Sequence, residues 1–223
     1  VLVRTGILAA GTAAGTLVIS VAAGGNFAAG AATVGAGTLT LSGAESAITL
    51  LPSGRFEFTN ANFGGSANTT RVYGCDGVNK AFEFDGTYFV PIPTGMTTDT
   101  PTHIHSHKNH LFLSFVGSIQ HSSPGAPYTW SIVTGSTEIA MGDTVTGFMK
   151  QPGSEAGGAL AIFTRNRTSM LYGSSVSDWD LVPYREELGA YPYTIQDFAQ
   201  TIFLDDRGVT FLQTSQAFGN FAH

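Results

Sequence analysis

Residues 101–122, PTHIHSHKNHLFLSFVGSIQHS, hold five of the chain's six histidines. His103, His105 and His107 alternate, and His110 and His121 bracket an apolar run. On an extended strand, alternate side chains share a face about 7 Å apart. Two imidazoles so placed can reach one metal ion, and His121 from a paired strand would complete a three-ligand site. That site would suit a metal-dependent hydrolase on a β scaffold. It would also need carboxylates behind the imidazoles, and the closest acid in this stretch is Asp99; no HExxH occurs. The competing reading is a polar row facing solvent or a lumen, with Ile104 and Leu111 turned inward and a charge that responds to pH near neutrality. The expectation is no metal, no cofactor and no catalysis, with His103, His105, His107 and His121 as the residues to test.

Other chemistry-bearing residues fit turns and cores better than active sites. Asp76, Asp85, Asp205, Asp206, Glu186 and Glu187 could pair for glycoside hydrolysis. However, Asp76, Asp205 and Asp206 fall in expected hairpin turns, where Asp serves the backbone. Tyr128, Trp130, Trp179 and Tyr184 could form a sugar-binding platform, and packing between strands is their alternative use. Arg165 and Arg167 share the turn TRNRT and are the candidates for contact with DNA phosphate or an acidic partner. No GxSxG, phosphate loop or dinucleotide fingerprint is present.

The elements that must position these residues read as strands. Charged residues make up only 12% of the 223, and Gly numbers 28; aromatic and branched residues are plentiful, so the chain is not disordered. A net charge of −6 argues against ordinary nucleic-acid binding, which needs a basic face, but suits a wall past which DNA slides without sticking. The single Cys75 excludes an intrachain disulfide and a Cys/His zinc cluster. The start, VLVRTGILAAGTAAGTLVISVAAGG, lacks Met, which suggests a processed product or a piece of a longer polypeptide. Its LVISVAA run is too short to span a membrane and reads as a strand with Gly turns.

Residues 1–66 are Gly/Ala/Thr-rich and almost uncharged, and are expected to form a small N-terminal β-rich domain. AITLLPSGRFEF within it reads as a hairpin about Pro52-Ser53-Gly54, and NFGGSANTT as a linker. From residue 67 to 223 a longer period appears. Apolar runs flank turns at Gly77, Gly117, Asn166 and Gly208, spaced 40, 49 and 42 residues apart. Strand modules of that period are the signature of propeller blades, whereas a sandwich shows turns without the longer period. The expected fold is all-β: a small or partial β-propeller with the N-terminal β domain attached.

From about residue 71 the segment order resembles the nozzle proteins at the distal end of short phage tails, the tail tubular protein B type. The resemblance rests on YGCDGVNKAFEFDG, then HKNHLFLSFVGSIQHSSPGAPYTW, then GALAIFTRNRTSMLYG, and finally GAYPYTIQDFAQTIFLDDRGVTFLQTS, and covers about two thirds of the chain. It implies a structural virion protein of the phage tail. Six copies would form a ring around the DNA exit channel, contacting adaptor or fibre proteins and the host envelope. It carries no catalytic motif. This chain is much shorter than that family, and residues 1–66 fall outside the pattern. A carbohydrate-binding, host-recognition β protein is the alternative.

Overall fold

The computed structural model describes residues 2–4, 15–18, 28–34, 37–43, 46–151, 158–198 and 200–212. Near the start, β1 (Leu2–Arg4) pairs with β2 (Gly15–Leu17), and β3 (Gly30–Val34) with β4 (Gly37–Leu41). The rest of the expected LVISVAA strand, the GNFAAG run and the QAFGNFAH ending lie outside the described residues, apart from Val18 and Ala28–Gly30.

Four antiparallel sheets then follow in chain order, each an up-and-down meander. The first comprises β5 (Glu57–Ala61), β6 (Arg71–Cys75), β7 (Phe82–Phe84) and β8 (Phe89–Pro91). The second comprises β9 (Ile104–His107), β10 (His110–Phe115), β11 (Ser118–His121) and β12 (Thr137–Ala140). The third is β13 (Val145–Lys150), β14 (Leu160–Thr164), β15 (Thr168–Tyr172) and β16 (Asp180–Arg185). The fourth has three strands, β17 (Gln196–Asp197), β18 (Thr201–Asp205) and β19 (Gly208–Leu212). The protein is all-β, with no α-helix among the described residues and no sheet closed into a barrel. No described helix is long and apolar enough to cross a membrane.

Each turn expected from the period falls between the second and third strands of a sheet: Gly77 after β6, Gly117 after β10, Asn166 after β14 and Gly208 at the start of β19. Asp residues hold the longer bends by accepting backbone N–H groups, which a carboxylate in a turn does at little cost. Asp76 Oδ1 accepts from Val78 and Asn79 at 2.9 and 2.6 Å, and Asp205 Oδ1 from Arg207 at 2.8 Å. Pro183 is accommodated because β16 is an edge strand, where a missing N–H breaks no ladder.

Residues 46–56, expected to hold a hairpin, form no strand. They run beside the loop after β6 instead: Leu51 exchanges two hydrogen bonds with the Asn79 side chain, and Arg55 N donates to Asp76 O at 3.1 Å. The apolar alternation at 56–61 is real, but its partner is β6, not the preceding segment. β5 lies before residue 66 and pairs along its whole length with β6 after it, from Glu57↔Cys75 to Ala61↔Arg71.

Because a strand's side chains alternate, each inner sheet buries both faces. Tyr73 and Cys75 of the first sheet pack on Ile104, Leu111 and Leu113 of the second. The opposite face of the second, with Phe112 and Ile119, packs on Leu160 and Ile162 of the third. Ala161 and Phe163, on the third sheet's other face, pack on Phe203 and Leu212 of the fourth. Every residue of β10 and of β14 is buried. The first strands are adjacent, β5 against β9 and β9 against β13.

Candidate functional site

The histidines divide between two places. His107 and His110 flank a two-residue hairpin whose central residues, Lys108 and Asn109, have φ of 46° and 63°. Positive φ at both positions matches the right-handed twist of the flanking strands. The pairing sets His107 opposite His110, and Phe112 opposite both His105 and His121. His110 and His121 rings lie 4.7 Å apart. Trp179, from the loop before β16, covers the group, with ring centroids 6.2 Å from His107, 5.6 Å from His110, 5.9 Å from Phe112 and 5.7 Å from His121.

Hydrogen bonds fix the protons. Trp179 Nε1 donates to His121 Nε2 at 3.0 Å, so that nitrogen is the acceptor. His121 Nδ1–H then donates to Ser122 O at 3.0 Å, and the same carbonyl accepts from His110 Nδ1 at 2.6 Å. Among the described residues, neither nitrogen of His107, nor Nε2 of His110, meets a hydrogen-bond partner. Burial disfavours imidazolium. It holds His107 down to about 3, with Lys108 adding to the effect, and His121 down to about 4. His105 is lowered to about 4, again chiefly by burial, with Glu57 opposing. These rings act as neutral aromatic packing at the junction of the second and third sheets.

His103 lies elsewhere. Its ring is buried, and its Nδ1 meets Glu57 Oε2 at 2.8 Å, while Ile104 N reaches Glu57 Oε1 at 3.4 Å. Tyr193, with a φ of 63°, sits 5.0 Å from the His103 ring, and the Arg55 guanidinium lies 4.0 Å over the Tyr193 ring. Ile195 approaches Gly147 of β13, where an added Cβ would come within 2.6 Å of its Cδ1. Residues at or just before the first strands of all four sheets thus meet here, with His103–Glu57 and Arg55–Tyr193 as the polar contacts.

The expected polar row of His103, His105 and His107 is therefore corrected: His103 and His107 are buried and His105 is half-buried, and His121 is buried as well. Ile104 and Leu111 do turn inward, toward the first sheet. Of the four candidates, His105, His107 and His121 lie on one face of the second sheet, with only His107 and His121 under Trp179, and His103 is drawn to Glu57. Among the described residues, no three or more His, Cys, Asp or Glu side chains are grouped to hold a metal ion. Asp99, the acid nearest in sequence, bonds Thr94 N and Oγ1 instead. The carboxylate that does meet a histidine, Glu57, comes from 46 residues earlier on another sheet, and no local spacing signals it. Trp179 was visible only as an aromatic; its place over the histidines depends on the junction between two sheets.

Arg165 and Arg167 share the β14–β15 turn, and both are engaged. Arg165 pairs with Asp206 and lies 4.0 Å over the Tyr191 ring; Arg167 Nη2 donates to Met141 O. Tyr128 and Trp130 pack at the first junction, Trp179 at the second and Tyr184 at the third, so the four aromatics share no single rim. Cys75 is fully buried and its thiol is pushed well up by burial, with Glu57 and Asp76 adding to the effect. Comparison with known proteins finds no match to a family model, a curated protein or a solved structure.

Proposed function

We propose that this chain is a non-enzymatic structural protein of a phage tail, its four sheets arranged as blades of a partial β-propeller. In this reading it forms a ring of copies around the DNA exit channel and meets adaptor or fibre proteins. The observation that carries it is the serial stacking of meander sheets, each face-on to the next, with adjacent first strands in the first three. Three of the four segments that resemble nozzle proteins supply the central hairpins of the first three sheets, and the last supplies the strands of the fourth. Low charge and interiors packed on both faces suit a rigid collar under load. The burial of the histidines at sheet junctions gives them a mechanical use.

The test is immunolabelling of purified virions, with an image of the labelled particle. Label concentrated at the tail end supports the reading; virions free of the chain overturn it.

A further inference from the structure

Among the described residues, the sheet series leaves a partly exposed apolar face at each end. On the first sheet, the face away from the second carries Phe58, Val72, Phe82, Phe84, Phe89 and Pro91, with Asn60 as its one polar side chain and no charge. Phe56 stacks on Phe58 at 5.8 Å, and Phe82 stands edge-on to Phe58 at 6.2 Å. Gly74 makes this possible, since a Cβ there would come within 2.5 Å of the Phe82 ring. On the fourth sheet, the face away from the third carries Ile202 opposite Phe211 and Leu204 opposite Val209, with Gln196 beside Ile202 and again no charge. Phe56, Phe58 and Phe84 are 46, 57 and 38% exposed; Leu204, Val209 and Phe211 are 39, 69 and 52% exposed.

We infer that these two faces are the halves of a head-to-tail interface between copies of this chain, the fourth sheet of one packing on the first sheet of the next. The occupant is a second copy because each molecule holds one of each half. The contact would repeat a junction the chain already makes three times, an apolar sheet face on the apolar face of its successor. Each face offers about 300 Å² of apolar surface, taking roughly 200 Å² per Phe and proportionately less for Leu and Val. That is about two thirds of the apolar share of a standard interface of roughly 800 Å² per partner. Neither face desolvates a charge on closing. A heterologous contact of this kind builds rings or filaments. The inference deepens the ring reading above by naming its subunit surface.

The experiment is sedimentation velocity of the full chain over a concentration series, with Phe58→Lys and Val209→Lys. Both positions are exposed, and Phe84→Lys replaces Phe58→Lys if that variant does not melt cooperatively. Association of the unaltered chain is expected, with each variant monomeric. An equimolar mixture of the two variants should give a dimer and nothing larger, because one intact face of each kind remains. A monomeric unaltered chain, variants that associate normally, or a mixture that stays monomeric overturns the inference. A monomer in solution leaves the labelling of virions unaffected, and absence from virions leaves the association of purified copies standing, so the two readings fail separately.

Discussion

Trp179 donates its indole N–H to His121 Nε2 at 3.0 Å across the junction of the second and third sheets. The bond does two things. It selects the tautomer of His121 that can also serve Ser122 O, and it places the indole over Phe112, His107 and His110. One side chain therefore joins a polar constraint to an aromatic cluster, each pair of which adds roughly 0.5–1.5 kcal/mol beyond area burial.

Trp179→Phe should keep most of the packing while leaving His121 Nε2 buried without a donor. The expected loss is about 1–3 kcal/mol. His121→Phe removes the acceptor as well, so the double variant should lose less than the two singles together. Chemical denaturation of all four proteins measures the coupling. Additive losses would show that the hydrogen bond contributes nothing.

Acid should weaken this junction. His107 and His121 titrate near 3 and 4 in the fold because burial excludes their charged forms, whereas unfolded histidine titrates near 6.5. As pH falls, the unfolded chain takes up protons first. Stability is therefore complete above about 6.5 and declines from there toward the folded values, by up to about 1.4 kcal/mol per pH unit for each ring. The lowered carboxylates, including Asp76 held down by Asn79 and Val78 N–H groups, matter only below the usual carboxylate range. Urea midpoints at pH 7.5 and 5 isolate the histidines, and His107→Phe should reduce the difference. Equal midpoints would sink the argument.

What the sequence revealed tracks how local its cause is. The central hairpins at Gly117 and Gly208 were legible because turn chemistry and flanking apolar runs lie within a dozen residues. The partner of β5 was not: the run RFEF advertises a strand, but nothing near it says that Cys75, not Leu50, lies alongside. His103 and Glu57 meet for the same reason, through packing of one sheet on another. The alternation of His103, His105 and His107 suggested one chemical face. The turn of His103 toward Glu57 takes that ring out of the row, and burial at a sheet junction turns His107 from ligand to packing.

Val116 holds a φ of 53° in the tight turn between β10 and β11 and is 69% exposed. A β-branched residue gains nothing from solvent there and clashes with its own backbone. Val116→Gly should therefore raise stability by about 1 kcal/mol, the strain relieved exceeding the entropy added to the unfolded chain. A thermal melt reads it. A lowered melting temperature would mean that the Val side chain makes a contact worth more than the strain.

Gly189 presses against the turn that carries Arg165. A Cβ there would lie 2.2 Å from Arg165 O and 2.5 Å from Thr164 O, both backbone atoms that cannot swing aside. The approach has a purpose, since Ala190 N donates to Thr164 O at 3.0 Å and leads the chain from the third sheet toward the fourth. Gly189→Ala must push this strap off the turn, breaking that bond and loosening Ala190 from Phe163 and Phe203. The expected cost is about 2–4 kcal/mol, in the range of overpacking with a lost buried hydrogen bond. Gly208→Ala is the control, because nothing stands within 4 Å of its Cβ and its cost is confined to a φ of 112°. Hydrogen exchange should show the loss in β18 and β19 first, with the first and second sheets still protected. Uniform loss across all four sheets would mean that the fourth does not hang on this strap.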